Sequence, residues 1–314
     1  MSANNPTLKN IQRIAEELGC EKNAIATGLV TNKTKSIGVV LPDLRNPFFT
    51  SILSSIIELA DKKGYTLLIC NTDWDSQKEK QEIATLTSKR VEGILLYPSY
   101  ENCGEDLIRA IPPMIVFGKN VAKCPSEAGF IEVDNKQGGE IAVRHMLECG
   151  YKRLAFIGGS EYSASNAARL EGFLDMHQTL GLEVAPELIS QGEYTIDNGY
   201  EIACILMKLP PERRPDGLIC ADDLIALGAM HAISGTGLSM PEDVRVIGFN
   251  DVPYAALPQI QLSTVKIPCT EMGEAGMKLL LDMIHAKDSN KKQISHTVNL
   301  NTLLIPRRTT RKPL

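Results

Sequence analysis

From Ser36 onward the apolar positions follow two alternating rhythms. Short runs of consecutive, mostly β-branched or aliphatic residues give way to longer stretches in which apolar residues return every three or four positions. Ile37-Gly-Val-Val-Leu41 is the first short run and ends at Pro42. Asn46-Pro47 then starts a helix, because asparagine caps free amides and proline suits the first turn. Phe49, Leu53, Ile56 and Ala60 share one face of that helix, and Gly64 closes it. The same reading places strands at Thr66–Cys70, Gly93–Tyr97, Met114–Phe117 and Arg153–Ile157, with helices at Ser76–Arg90 and near Gly138–Cys149. Further along it places helices at Ser165–Leu180, Ile196–Leu209, Asp222–Ser234 and near Glu271–His285. Strands fall at Gly217–Cys220, Val244–Gly248 and Leu262–Lys266. Strands alternating with helices predict an α/β protein of doubly wound parallel sheets, covered on both faces. Ligands of such sheets sit beyond the carboxyl ends of the strands. That directs attention to the loops Pro42–Phe49, Asn71–Asp75, Phe117–Lys119, Gly158–Arg169, Ala221–Asp223 and Gly248–Tyr254.

Composition changes this picture little. The chain has 314 residues, 43% of them hydrophobic and 23% charged, which suits about two globular domains. The formal net charge of −5 does not advertise nucleic acid. Charge is uneven, however: Lys9, Arg13, Lys22, Lys33 and Lys35 against Glu16, Glu17 and Glu21 give residues 1–36 a net +2. A solvated helix end accounts for that asymmetry as well as a nucleic-acid contact does. The eight cysteines are scattered, with no C-x-x-C pair and no zinc spacing, as expected of a reduced, cytoplasmic chain. The N-terminus lacks the basic start and apolar run of a secretory signal, and no apolar run reaches membrane-spanning length.

Chemical motifs are sparse. There is no G-x-G-x-x-G after the first strand, no G-x-x-x-x-G-K-[ST] and no Gly-x-Ser-x-Gly elbow. Gly158-Gly159-Ser160 reads as a tight turn. His145, His177, His231, His285 and His296 are isolated from one another in sequence. No catalytic set, metal site or cofactor motif emerges, so an enzyme is not expected.

Several segments nonetheless belong together. Asn23-Ala-Ile-Ala-Thr-Gly-Leu29, Lys35-Ser-Ile-Gly-Val-Val-Leu-Pro-Asp43 and Asn46-Pro-Phe-Phe49 are followed by Leu67-Leu-Ile-Cys-Asn-Thr-Asp73 and Val91-Glu-Gly-Ile-Leu95. Then come Arg169-Leu-Glu-Gly-Phe173, Asp222-Asp-Leu-Ile-Ala-Leu-Gly-Ala229, Pro241-Glu-Asp-Val244, Val246-Ile-Gly-Phe249, Leu262-Ser-Thr-Val265 and Arg308-Thr-Thr310. In this order and spacing, over nearly the whole chain, they resemble the LacI/GalR family of bacterial repressors.

The resemblance implies a periplasmic-binding-protein-like sensor of two subdomains crossed by three strands, with a small-molecule effector between them. It also implies a homodimer whose headpieces bind palindromic operator DNA. Residues 1–35 correspond to a remnant of the headpiece and a hinge, and 36–314 to the sensor. Within the sensor, an N-subdomain is expected at about 36–150 and 267–295, and a C-subdomain at about 151–266 and 296–314. Thr7–Gly19, with Leu8, Ile11, Ile14, Ala15 and Leu18 on one face, looks like the family's third headpiece helix, so the helix-turn-helix is expected to be incomplete in the chain as read. In the hinge, Asn23, Ala24, Thr27 and Leu29 are candidate DNA contacts. Leu29 falls where the family places a leucine that wedges into the minor groove, and Gly28 weakens a hinge helix.

For the effector, candidates come from both halves. Phe48 and Phe49 could stack on a flat or sugar-like ligand, although helical register also suits Phe49 to the core. Asp73 offers a carboxylate for hydroxyls or a helix cap. Lys119 follows a strand where the family often places a ligand contact. Arg169 aligns with an effector-contacting arginine and has a forked donor set, with Asn166 one turn before it. Asp222 could cap its helix, face the cleft, or both. Asn250 stands where many relatives carry aspartate, and the neighbouring Asp251 could compensate. Such a set suits a sugar or sugar derivative, or equally a nucleoside or purine. A transport-type sugar-binding protein and a DNA-binding-deficient sensor that acts through a partner are the alternative readings.

Overall fold

The computed structural model describes residues 33–99, 112–118, 128–288 and 297–310. The headpiece helix at Thr7–Gly19, the hinge residues Asn23, Ala24, Thr27 and Leu29, and Lys119 lie outside the described residues.

Two six-stranded sheets organise the described chain into two lobes. The first holds β1 (Ser36–Leu41), β2 (Thr66–Asn71), β3 (Gly93–Leu96), β4 (Met114–Phe117), β5 (Gly129–Val133) and β11 (Thr297–Leu300) in the order β11-β5-β4-β3-β1-β2, all parallel. Helices α1 (Pro47–Lys63), α2 (Ser76–Ser88) and α7 (Cys269–Asp288) cover it. Alternation along β1 sorts its side chains between the two faces. Ile37, Val39 and Leu41 join Phe49, Ile52 and Ile56 of α1 and Met277 and Leu280 of α7, whereas Val40 joins Ile83 and Leu86 of α2.

The second sheet holds β6 (Leu154–Ile157), β7 (Ile189–Ser190), β8 (Gly217–Cys220), β9 (Arg245–Asn250), β10 (Ser263–Lys266) and β12 (Leu303–Ile305) in the order β12-β10-β9-β8-β6-β7. Only β12 is antiparallel to its neighbour. Its helices pack in pairs, α3 (Asn135–Glu148) on α4 (Ala164–Thr179) and α5 (Ile196–Met207) on α6 (Asp223–Ser234).

Local signals act as the sequence suggests. The side chain of Asn46 caps α1 by accepting from the Phe48 amide, Pro47 occupies the first turn, and Gly64 ends the helix in the left-handed conformation with φ 69°. Strands β5, β7, β11 and β12 carry no pattern strong enough to be read in advance. Each has five residues or fewer.

The chain changes lobe three times: at Asp134 between β5 and α3, at Ile267–Pro268 between β10 and α7, and at Asn301–Thr302 between β11 and β12. The first change comes earlier than the expected boundary near 150. The apolar face of α3, formed by Ala142, Val143 and Met146, belongs to the second core, so residues 135–148 pack with the second lobe. The last comes later than 296, because β11 pairs with β5 and puts 297–300 in the first lobe.

Candidate ligand-binding cleft

All the parallel strands of each sheet end on the side facing the other lobe's loops, and a cavity of about 280 Å³, part of it open to solvent, lies there. Asn46, Phe48 and Phe49 reach it from beyond β1, Trp74 from beyond β2 and Tyr97 from beyond β3. From the second lobe come Ser163, Ser165 and Arg169 beyond β6, Tyr194 beyond β7, Asp222 beyond β8 and Asn250 at the end of β9.

Among the described residues, side-chain contacts join the lobes across this space at three places. Asn46 Nδ2 donates to Asp222 Oδ2 at 3.0 Å, the hydroxyls of Tyr97 and Ser165 lie 3.2 Å apart, and Trp74 stacks on Tyr194 with centroids 5.6 Å apart and ring planes 24° from parallel. The aromatic wall continues edge to face from Phe49 to Trp74 (5.9 Å), Tyr97 (4.9 Å) and Phe48 (4.9 Å).

Arg169 and Asp222 are the charged groups of the lining, and both are buried. Arg169 projects from α4, which Ser163 caps by accepting from the Asn166 amide at 3.3 Å. Its guanidinium donates to Asn135 Oδ1 at 2.8 Å, to the Ala221 carbonyl and to Asn250 Oδ1 at 3.4 Å, and it lies 4.6 Å from the centre of the Phe249 ring. Asp222 both caps α6, accepting from the Ile225 amide at 2.8 Å, and faces the cleft. Burial pushes its carboxyl up from the ordinary value; the Ile225 amide, Asn46 and Arg169 oppose that shift. Burial likewise raises the phenols of Tyr97 and Tyr194, so the lining offers neutral hydroxyls. Burial also pushes the nearby Cys269 thiol up to about 12.

Phe48, Phe49, Arg169, Asp222 and Asn250 therefore meet in one cavity. Both phenylalanines also belong to the core of the first lobe. The other described candidates sit elsewhere. Asn166 is buried behind the wall, where its Oδ1 accepts from the Gly159 amide at 3.0 Å and its Nδ2 donates to Gln191 at 2.8 Å. Asp73 is exposed and bound to Lys78 at 2.7 Å and to Asn71 at 2.6 Å; Asp75, not Asp73, caps α2. The turn that carries Asp73 outward brings Trp74 inward. Asp251 is not part of the cavity lining, and its carboxylate pairs with Arg307 at 2.6 Å. Asn46, Trp74, Tyr97, Ser163, Ser165 and Tyr194 are lining residues not singled out as ligand contacts from the sequence. The signal that finds them is position: each aromatic among them lies within a few residues of the carboxyl end of a strand.

The arrangement suits non-covalent recognition. Rings offer flat apolar faces, and amides, hydroxyls, one guanidinium and one carboxylate offer hydrogen bonds in a partly enclosed space. Among the described residues no cluster of His, Cys, Asp and Glu could hold a metal ion, and no helix is long and apolar enough to cross a membrane.

The family model for a periplasmic binding protein-like domain matches residues 143–310. The HTH-type transcriptional repressor PurR of Haemophilus influenzae (strain PittEE) is 31% identical over 304 residues, covering 95% of this chain and 88% of the relative. Among solved structures, a regulatory protein of LacI family from Chloroflexus aggregans superposes with TM-score 0.75 at 26% identity, covering 88% of this chain and 99% of its own. A periplasmic binding protein/LacI transcriptional regulator from Alkaliphilus metalliredigens QYMF, complexed with D-xylulofuranose, does so with TM-score 0.73 at 27% identity, covering 88% and 100%.

Proposed function

The chain belongs to the LacI/GalR family of transcription regulators, and from that premise we propose that it is a repressor-type regulator whose cleft binds a sugar or sugar derivative and thereby controls binding of a homodimer to operator DNA in the cytoplasm. One observation carries the proposal: the cavity at the strand ends takes its walls from both lobes, with aromatic faces beside paired hydrogen-bonding groups. A ligand held there touches both lobes at once and so favours one relative orientation of them. The similar regulator complexed with D-xylulofuranose supports a sugar as the class of ligand. Arg169 and Asn250 would orient ring hydroxyls from the second lobe, and Asn46 with Asp222 would do so at the seam. Asn23, Ala24, Thr27 and Leu29 would form the DNA side of the switch.

The test is a titration of the full chain against DNA from around its own gene, at two salt concentrations, with and without a panel of sugars and nucleosides. Expected are salt-dependent specific binding and a shift of at least about fivefold in affinity with a sugar, the low end of ordinary coupling. A shift with nucleosides alone would overturn the sugar assignment. Specific binding indifferent to every small molecule that occupies the cleft would overturn the control.

A further inference from the structure

The chain enters the first sheet at a bend. Lys35, the last residue before β1, has φ 49°, in the left-handed region that a lysine occupies only at a cost in free energy. Two backbone hydrogen bonds at this point are of the kind any parallel sheet makes. The Thr66 amide donates to the Lys35 carbonyl at 2.8 Å, and the Glu92 amide donates to the Ser36 carbonyl at 2.8 Å.

Side chains add a second hold. β1 lies between β2 and β3, and one residue from the approach to each neighbour meets the bend. Glu92, just before β3, accepts from the Lys35 amide through Oε1 at 2.6 Å and from the Tyr65 hydroxyl through Oε2 at 3.2 Å. Tyr65, just before β2, presents its ring to the Lys35 ammonium, which lies 4.3 Å from the ring centre. The ring is buried in the core of the first lobe and cannot follow a moving lysine. One residue upstream, the Thr34 hydroxyl donates to the Arg90 carbonyl at 2.8 Å.

Lys35 is exposed and Glu92 half-buried. Contacts so open to water contribute little to global stability. What they do fix is direction: with its amide and its ammonium both held, Lys35 sends the backbone upstream along one line. All of these partners belong to the first lobe, and the residues upstream are those that the resemblance assigns to the hinge and headpiece. We propose that Glu92 is a positioning residue for DNA binding. By fastening Lys35 it sets the angle at which the DNA-binding segment leaves the first lobe, so that a reorientation of that lobe is passed on instead of being absorbed in a loose joint. This rests on the chain being the DNA-binding regulator proposed above.

Hydrogen exchange of the full chain, read by mass spectrometry on peptides that carry Lys35, is compared among wild type, Glu92→Ala, Glu92→Gln and Tyr65→Phe. Glutamine keeps an acceptor for the Lys35 amide, and phenylalanine keeps the ring. The same proteins are titrated with DNA from around the chain's own gene and with random-sequence DNA, and their thermal midpoints are measured. In Glu92→Ala the Lys35 amide should exchange at least about tenfold faster, the worth of one hydrogen bond to a charged group. Specific affinity should fall at least about fivefold, the low end of ordinary coupling between sites. Affinity for random-sequence DNA should stay within about twofold, because the phosphate contacts are unaltered, and the midpoint within about 2 °C. Glu92→Gln should recover most of the specific affinity. Should Glu92→Ala fail to fold, Glu92→Gln and Tyr65→Phe carry the comparison, each with a smaller loss of the same sign. A fall in the midpoint and in both affinities together marks a merely structural role and overturns the proposal. Unchanged exchange in the variants overturns the fastening itself. Faster exchange with unchanged specific affinity overturns the positioning role and leaves the regulator reading standing. If wild type shows no preference for its own DNA, the regulator reading fails and the positioning role with it, while the exchange comparison still decides whether Glu92 holds the bend.

Discussion

Asp223 lies directly behind the cleft with no solvent contact. Its Oδ1 accepts from the Thr264 hydroxyl at 2.7 Å and its Oδ2 from the Val252 amide at 2.8 Å. It thereby pins β10 and the turn after β9, where Asn250 and Asp251 have φ of 102° and 60°. Burial drives its carboxyl well above the ordinary 3.8, against the hydrogen bonds from Thr264 and Val252; Asp222 and Asp251 push it further up. The native state therefore keeps a proton that the unfolded chain releases near pH 4, so this group makes stability fall as pH rises from there through its native value. Asp222, raised in the same direction, adds to the slope. Asp223→Asn should flatten the decline by up to about 1.4 kcal/mol per pH unit, as read from urea melts between pH 4 and 7; parallel profiles would reject the account. Legibility at this scale was uneven. Phe48, Phe49, Arg169, Asp222 and Asn250 follow from motif and strand-end position. Trp74 lies in a loop marked for inspection, yet the carboxylate of Asp73 is the more obvious ligand partner. The left-handed turn that exchanges their directions leaves no periodic trace. Tyr97 and Tyr194 are single aromatics beside short strands, where a core role reads equally well.

At the scale of elements, the helix pairs of the second lobe are set by glycines. A Cβ on Gly139 of α3 would strike the Arg169 carbonyl, and one on Gly172 of α4 would strike the Lys136 carbonyl; Gly199 and Gly228 play the same parts for α5 and α6. A glycine inside a helix costs up to about 1 kcal/mol relative to alanine, and close backbone approach offsets that cost here. Because Gly139 touches the backbone of Arg169 itself, the crossing of α3 and α4 fixes where that guanidinium stands. Gly172→Ala should destabilise the protein by about 1–3 kcal/mol through overpacking and weaken ligand binding as well. Denaturant melts and ligand titration of the variant check both, and a stabilised variant would show that helix propensity outweighs contact. Helices and central strands were legible because apolar periodicity needs only local burial. The lobe to which α3 belongs was not, since its partner α4 is set by glycines that carry no hydrophobic signal.

For the whole molecule, the Asn46–Asp222 hydrogen bond is the buried one among the three contacts described across the cleft. Asn46→Asp places a second carboxylate 3.0 Å from Asp222, and like charges at that range disfavour each other. The variant should open, with a larger radius of gyration by small-angle scattering and at least a tenfold loss of ligand affinity; an unchanged radius with unchanged affinity would show that the seam does not control closure. The threefold exchange of chain between lobes has a further consequence, for biosynthesis. The first sheet lacks its helix α7 until residue 288, and its edge strand β11 until residue 300, has left the ribosome, and β12 emerges later still. Neither lobe can be finished before the other is nearly complete, so the usual domain-by-domain order of emergence is denied to this protein. Its unfinished sheets stand as open edges throughout elongation, and the nascent chain is the form most in need of a chaperone.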